Sequence, residues 1–209
     1  MEKINTLKKL FNSHNLDGYI VPKNDEFFGE YIPENKDKLK FISNFSGSYG
    51  FALILKNKNY LFVDGRYTLQ AKIQSGKNFK IITIPQKFPS DILKNKKLKI
   101  GFDPRLHTQK TLDIFFSKTN CQLISIEENL IEKIWNKKKI DNNKKFYTLP
   151  KSAVGENYKK KLNKLINIFN KKKVNLQFIT ASENIAWLLN IRGQDSGFTP
   201  IPNSYLTID

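Results

Sequence analysis

Two short stretches with one shared pattern guide the interpretation of this sequence: "FISNFSG" at residues 41–47 and "WLLNIRG" at residues 187–193. Each contains an aromatic residue, an aliphatic residue, any residue, Asn, an apolar residue, any residue and Gly. An apolar run that passes at once into Asn and Gly is typical of a buried element followed by a tight turn. The repetition predicts that the chain contains the same structural unit twice.

The elements around the two stretches occur in the same order. An amphipathic helix is predicted at residues 3–14 and again at 154–171, because apolar residues recur there at helical spacing. Each helix is followed by a short apolar strand, "DGYIVP" in the first unit and "NLQFIT" in the second. After each Asn-x-x-Gly phrase comes a strand that has Ser-Tyr near its start. The common order supports the duplication.

The first unit contains further elements that define its fold class. "FALILKNKNYLFVD" predicts a hairpin, and "GRYTLQAKIQ" predicts a helix that packs through Tyr67, Leu69, Ala71 and Ile73. The stretch from residue 25 to 41 reads as a loop with a short helix, and "FISNFSGSYG" as irregular backbone. Three more strands alternate with short helices: "FKIITIP", "KLKIGFD" and "CQLISI", followed by an exit helix, "EENLIEKIW". This alternation predicts an α/β domain with a mixed sheet flanked by helices.

The domain organisation follows from these elements. We expect a first domain at residues 1–137, a linker at 138–153 and a related α/β unit at 154–209. In the second unit, the strand "SYLTI" has no hairpin partner such as the one in the first unit. An unpaired strand would leave an open sheet edge, so the second unit is expected to be a truncated copy.

"TASE" at residues 180–183 predicts a capping box for the last helix. Cys121, the single cysteine, is predicted to be a buried strand residue.

Composition limits the classes of function. The formal charge is +17, but almost all of it comes from lysines scattered along the chain, so a dedicated nucleic-acid surface is the weaker interpretation. No apolar run approaches the roughly 20 residues that span a bilayer, and the N-terminus lacks the apolar segment of a signal peptide. One cysteine fits a reducing compartment, so a cytoplasmic location and no membrane partner are expected.

The candidate site residues lie in the two repeated regions. Asp64, Arg66 and Tyr67 follow the hairpin; they either cap the next helix and tie it to the "SNFSG" loop, or face a catalytic domain and narrow access to an active site. Arg192 and Asp195 have the same two interpretations, with an internal salt bridge or loop brace favoured. Structural turn residues are predicted at Asn44, Gly47, Gly50, Asn190 and Gly193. The Gly47 and Gly50 pair reads as a turn that needs positive φ rather than as a phosphate cradle.

The sequence offers no catalytic or metal-binding set. His14 and His107 are the two histidines, and neither has carboxylates at ligand spacing. No G-x-S-x-G nucleophile turn with a partner histidine can be assembled around Ser46 or Ser48. We therefore predict no catalytic residue and no cofactor within these residues.

With these motifs in view, the sequence resembles the N-terminal region of the cytosolic three-domain Xaa-Pro aminopeptidases, members of the creatinase/prolidase superfamily. The resemblance is carried by "DGYIVP", "FISNFSGSYGFALIL", "LFVDGRYTLQAKIQ" and "GFDP" for the first domain, and by "SENIAWLLNIRGQD" and "SYL" for the start of the second. Residues 198–200, "FTP", depart from the bulkier aromatic stretch expected there.

The resemblance implies two related α/β domains followed by a catalytic pita-bread domain that is absent from this chain. That domain holds two divalent metal ions, usually manganese, and removes the N-terminal residue from peptides with proline second. The chain would then restrict substrate access, contact peptide only indirectly, pack on its own catalytic domain and take part in a homodimer. Two alternatives stay open: a metal-free interaction or chaperone module of the same superfamily, and a basic nucleic-acid-binding protein.

Overall fold

The structure, a computed structural model, describes residues 1–136 and 145–209. The described chain divides into two compact units. Unit 1 comprises Met1–Glu26 and the described residues from Glu34 to Asn136, and unit 2 comprises Phe27–Pro33 and the described residues from Lys145 onward. No helix among the described residues is long and apolar enough to cross a membrane.

Unit 1 contains six strands and six α-helices within the described residues. In chain order they are α1 Glu2–Ser13, β1 Gly18–Pro22, α2 Lys38–Ser43, β2 Gly50–Leu55, β3 Asn59–Asp64, α3 Thr68–Ser75, β4 Lys80–Ile84, α4 Pro89–Leu93, β5 Lys99–Phe102, α5 Gln109–Phe116, β6 Gln122–Ser125 and α6 Leu130–Ile134.

The six strands form one sheet in the order β4-β3-β2-β1-β5-β6. The inner strands β1, β2 and β3 pair antiparallel, whereas β4, β5 and β6 each join their neighbour in parallel. All six residues of β2 are buried because helices cover both faces: Ala52 and Ile54 belong to one core cluster, and Phe51, Leu53 and Leu55 to the other. The predicted mixed α/β sheet is confirmed.

Helix α2 is longer than the sequence predicted. The irregular backbone was expected to begin at Phe41, but residues 41–43 complete the helix. The side chain of Asp37 caps the first turn by accepting from Lys40 N at 2.9 Å, and Asn44 ends the helix in the left-handed conformation at φ 63°. The irregular segment therefore starts at Asn44.

The predicted packing of α3 is corrected by its side-chain exposure. Ala71 is fully buried, but Leu69 and Ile73 are 72% and 77% exposed. At 100° per residue, positions two before and two after Ala71 both point almost directly away from the sheet. Ala71 and Ser75, four residues apart, are the buried residues of α3 and define the face that meets the core.

Cys121 is also placed differently from the prediction. It precedes β6, is half-buried, and directs its thiol toward Lys96 O at 3.5 Å. Its side chain packs at the margin of the second core cluster. The short strand begins one residue later because Gln122 is the first residue to pair with β5.

Unit 2 is smaller and has two separate ladders. Its elements are β7 Tyr147–Thr148, α7 Tyr158–Lys172, β8 Gln177–Ile179, α8 Ser182–Leu189, β9 Ile191–Arg192 and β10 Leu206–Ile208. β8 pairs antiparallel with β10, and β7 pairs antiparallel with β9. Of the predicted linker, residues 138–144 lie outside the described residues. The part from residue 145 onward includes β7, so it contributes to a ladder of this unit.

Two features of unit 2 differ from the sequence prediction. Ala181 is the N-cap of α8 and makes no side-chain cap bond, so the predicted Thr180–Glu183 capping box is wrong. The Ser182 hydroxyl instead accepts from Ser204 N at 3.2 Å, which ties the start of the helix to the segment before β10. In addition, Phe27 stacks on Tyr205 with ring centroids 5.0 Å apart, which explains why residues 27–33 belong to this unit.

Candidate interface site

Asp64 and Arg66 form a closed pair at the carboxyl end of β3. Asp64 caps the 3-10 turn by accepting from Arg66 N at 2.9 Å, and it also accepts from Arg66 Nε at 3.2 Å and Nη2 at 2.6 Å. These bonds from Arg66 hold the pKa of the Asp64 carboxyl below its ordinary value. The arginine side chain is nevertheless 74% exposed, so its guanidinium is held in place at the surface. The predicted cap is present, but Arg66 binds Asp64 and not the "SNFSG" loop.

Other side chains of the same region tie α3 to that loop. Tyr67 Oη lies 2.7 Å from Ser48 Oγ. Gln70 and Gln74 each donate to Ser46 Oγ at 2.9 Å, and Ser46 N donates back to Gln74 Oε1 at 2.9 Å. The sequence analysis missed both glutamines. Their spacing from Tyr67, three and seven residues on, puts all three on one helix face and was the available signal.

The glycines of the loop are required by close packing. A Cβ at Gly47 would lie 2.2 Å from the Phe45 ring and 2.9 Å from the Tyr67 ring. A Cβ at Gly50 would lie 2.7 Å from Phe62 O. Gly47 therefore needs space rather than the positive φ that the sequence suggested, whereas Gly50 does have a positive φ, of 158°. The left-handed residue of this turn is Asn44.

A second Asp-x-Arg pair, which the sequence analysis missed, repeats this geometry after β5. Asp103 accepts from Arg105 N at 2.9 Å, Nε at 3.1 Å and Nη2 at 2.8 Å, and also from Asn129 Nδ2 at 2.9 Å. Asp103 is 1% exposed. Burial alone would raise the pKa of its carboxyl, but the bonds from Arg105 and Asn129 lower it below the ordinary value. "VDGR" and "FDPR", each at a strand end, were the signal in the sequence.

Both pairs lie at the same edge of the sheet. β1 is antiparallel to β2 and β2 to β3, whereas β1 is parallel to β5, so β3 and β5 run in one direction and end at one edge. Arg66 and Arg105 are fixed by their own aspartates, yet their side chains are 74% and 56% exposed. A guanidinium fixed in this way loses little conformational entropy when its free N–H groups bind a carboxylate or carbonyl. The edge is thus suited to docking another protein surface.

The candidate residues of unit 2 brace a loop. Arg192 Nη1 donates to Ala186 O at 3.2 Å and to Ile191 O at 2.8 Å. Asp195 Oδ2 accepts from Asn203 N at 2.7 Å. The two side chains therefore bind backbone groups, as a loop brace does, rather than each other. Gly193 is again a position of close approach, because a Cβ there would lie 2.7 Å from Pro202.

Asn190 has a larger role than its counterpart in unit 1. It ends α8 in the left-handed conformation at φ 57°, as Asn44 ends α2. Its side chain also donates to Glu156 O at 3.0 Å and accepts from Lys161 Nζ at 2.6 Å. The repeated Asn therefore has one backbone role in both units and an additional side-chain role in unit 2.

No metal centre is assembled by residues 1–136 and 145–209, where no group of three or more His, Cys, Asp or Glu side chains is placed to hold an ion. His14 Nδ1 is bonded locally, at 2.9 Å from Leu10 O. His107 is buried with neither ring nitrogen hydrogen-bonded, and burial lowers its pKa to about 4. These residues do not fit a dinuclear centre, and we assign no step of metal chemistry to them.

Comparison with known proteins agrees with this architecture. A family model described as the creatinase/prolidase N-terminal domain matches residues 3–134, and a second model with the same description matches residues 136–209. The chain belongs to the creatinase/prolidase N-terminal domain family. The two matched ranges correspond to the two repeated phrases, one in each range.

Individual relatives of this family align with nearly the whole chain. A "Probable Xaa-Pro aminopeptidase P" of Laccaria bicolor is 30% identical over 218 residues, with 99% of this chain and 34% of the relative covered. The Penicillium rubens protein of the same name is 32% identical over 218 residues, with 99% and 35% covered. The solved X-prolyl aminopeptidase of Caenorhabditis elegans superposes with a TM-score of 0.87 at 28% identity, with 99% and 37% covered. The chain thus spans about a third of the length of the curated relatives that it matches.

Proposed function

We propose that this chain is the non-catalytic N-terminal region of a metal-dependent Xaa-Pro aminopeptidase. The parent enzyme removes the first residue from peptides whose second residue is proline. The observation that supports this most directly is the superposition of 99% of the chain on about a third of the C. elegans X-prolyl aminopeptidase, a protein described as a cytosolic enzyme with a di-nuclear active site. In this proposal the chemistry belongs to a catalytic domain outside these residues, with two divalent ions, manganese by family resemblance. The parent is a cytoplasmic homodimer.

Within that proposal, the chain restricts access to the active site and aids assembly. This role is supported by the sheet edge that presents Arg66, Arg105 and Tyr67. The two guanidinium groups there are fixed by bonds to aspartates and are also exposed to solvent. An ion pair at the surface contributes little to folding stability, so folding alone gives little reason for the exposed Arg66–Asp64 pair. Arg105 differs in that its partner Asp103 is buried, so this arginine also compensates a buried carboxylate. Arg192 and Asp195 support the role indirectly by fixing the loop after α8.

The first experiment tests where the chemistry resides. The purified 209-residue chain is incubated with an Xaa-Pro tripeptide and Mn²⁺, beside the C. elegans enzyme as a positive control. We expect release of the first residue by the control and none by the chain. Release that co-purifies with the chain through successive columns would overturn the proposal.

The second experiment tests access. Residues 1–209 replace the corresponding third of the C. elegans enzyme, and kcat/KM is measured for an Xaa-Pro tripeptide and for a longer peptide with the same first three residues. Arg66→Gln is expected to raise the rate for the longer peptide relative to the tripeptide. The matched control is Lys58→Gln, which removes a charge in the β2–β3 turn at the opposite end of the sheet. An equal ratio in both variants would contradict the access role.

A further inference from the structure

Strand β4 is one of the two outermost strands of the six-stranded sheet in unit 1. It pairs with β3 in parallel over all five of its residues, and its other side pairs with no strand among the described residues. A strand in this position presents backbone N–H and C=O groups that can pair with another extended chain. Thr83 O accepts from Lys87 N at 3.2 Å, so a local turn occupies the carboxyl end of this side. The open part is the amino-terminal half, residues 80–82, which we call the β4 edge.

Three lysines lie at the β4 edge. Lys80 is the first residue of β4, and Lys77 lies three residues before it. Helix α3 packs on β4, and Thr68 Oγ1 lies 3.3 Å from Thr83 Oγ1. The chain reverses between α3 and β4, so Lys72, one turn after Thr68, lies beside the amino-terminal half of the strand.

The charge of these lysines is not compensated within the described residues. All three are exposed, and their side chains form no ion pair or hydrogen bond with the part of the chain that the structure describes. From Gly65 to Ser90 the sequence contains five basic residues and no Asp or Glu. The outermost strand on the other side of the sheet, β6, differs because Glu127 and Glu128 follow it. The uncompensated positive charge therefore distinguishes the β4 edge from the other side of the sheet.

We propose that the β4 edge binds an extended acidic segment of another protein as an added strand. Main-chain hydrogen bonds to β4 hold the segment, and its carboxylates pair with Lys72, Lys77 and Lys80. Leu69, which is 72% exposed one turn before Lys72 on the same helix face, provides an apolar contact for a side chain on the α3 side of the segment.

Charge selects this occupant over a second copy of the chain. Two β4 edges that paired with each other would bring together three lysines from each copy, and like charges across an interface oppose association. The same lysines attract a strand that carries carboxylates. The inference does not depend on the role proposed for Arg66 and Arg105, because these arginines follow the carboxyl ends of β3 and β5.

The test uses a designed acidic strand as the probe. A seven-residue peptide of alternating Thr and Glu, with blocked ends and a fluorescein label, is titrated with the full 209-residue chain. Binding is followed by fluorescence polarisation, and the binding surface is located by NMR shift mapping. We expect shifts at residues 80–82 and in α3 but none in β6. A peptide of alternating Thr and Lys should bind at least ~10-fold more weakly, because its charge is reversed.

N-methylation of the peptide separates strand pairing from charge attraction. Methyl groups on the amide nitrogens of two adjacent central residues leave the charge unchanged but remove one N–H from each side of the peptide strand. Binding should weaken at least ~10-fold, because main-chain hydrogen bonds to β4 are lost. Equal binding by the methylated and unmethylated peptides would overturn the proposal, since charge alone would then account for the affinity.

Two double variants with the same change in net charge test the lysines. Lys72→Gln with Lys80→Gln removes two charges from the β4 edge, whereas Lys110→Gln with Lys118→Gln removes two exposed charges in and just after α5. We expect the first pair to weaken binding at least ~5-fold and the second to change it less than ~2-fold, with equal helix content by circular dichroism. No binding at millimolar peptide, or an equal loss in both variants, would overturn the proposal. So would a dimer of the chain with shifts at the β4 edge, since the edge would then serve a second copy.

Discussion

The two units share a sequence pattern and a helix–strand order, but differ in how far the same face is buried. Phe11 in α1 is fully buried, whereas Phe169, at the corresponding place in α7, is half-buried. The difference arises from α6, which covers α1 in unit 1 and has no counterpart among the described residues of unit 2. An amphipathic pattern therefore specifies which face of a helix is apolar, and the covering element decides how much that face stabilises the unit.

The largest expected difference is between truncations of these two phenylalanines. Phe11→Ala should lower the free energy of unfolding of unit 1 by about 3–5 kcal/mol, because it leaves a cavity in a closed core. Phe169→Ala should cost unit 2 less, about 1–2 kcal/mol, since that side chain is only partly buried. The two tryptophans report separately: urea unfolding is followed by Trp135 in a Trp187→Phe background and by Trp187 in a Trp135→Phe background. Equal losses of stability would show that the apolar face of α7 is as well covered in solution as that of α1.

The pH dependence of stability should distinguish the units next. His107, buried in unit 1, has a folded pKa of about 4 against an ordinary 6.5, so between these values the unfolded state binds the extra proton. Stability of unit 1 should therefore fall as pH is lowered from 7 to 4.5, by about 2–3 kcal/mol. Urea midpoints measured by Trp135 fluorescence would show this slope. Unit 2 has no histidine and should lack it.

Two variants assign the slope to one side chain. His107→Phe should remove most of the change between pH 7 and 4.5, and His14→Asn should retain it because His14 lies at the end of α1 and is only half-buried. A slope that survives His107→Phe would mean that other groups titrate with folding.

Much of the fold could be predicted from sequence because its signals are local. Apolar runs bounded by turn residues predicted the hairpin and the later strands, and apolar spacing predicted α1 and α7. The exposure of Leu69 and Ile73 could not be predicted in the same way, because it depends on which face of α3 meets the rest of unit 1, and the short apolar pattern of this helix does not fix that face. The covering role of α6 is likewise a contact between distant segments.

The contacts of the candidate site likewise include some that were predictable from local sequence and some that were not. Asp64 as a cap was predictable, since a carboxylate after a strand and before a helical turn accepts backbone N–H groups. That Arg66 would bind Asp64 was not, because the bond depends on the turn geometry that brings residues two apart together. The bonds of Gln70 and Gln74 were not predictable either, because polar residues on a helix surface are usually solvated and only the position of the "SNFSG" loop gives these two partners.

The two repeated asparagines provide a smaller and sharper comparison. Asn44→Gly should change the stability of unit 1 by less than about 0.5 kcal/mol, because Gly adopts the left-handed conformation readily. Asn190→Gly should cost unit 2 about 1–2 kcal/mol, since it removes the bonds to Glu156 O and from Lys161 Nζ. The urea transitions of the two tryptophan reporters measure both. Equal effects would contradict the additional role assigned to the Asn190 side chain.

The smallest expected effect bears most directly on function. Arg66→Gln should leave the stability of unit 1 nearly unchanged, because its bonds to Asp64 are exposed to water. Arg192→Gln should cost unit 2 about 1 kcal/mol, since its guanidinium satisfies the carbonyls of Ala186 and Ile191. Thermal unfolding of both variants measures these two changes in stability. A loss for Arg66→Gln as large as that for Arg192→Gln would give Arg66 a role in folding and remove the main reason to assign it to an interface.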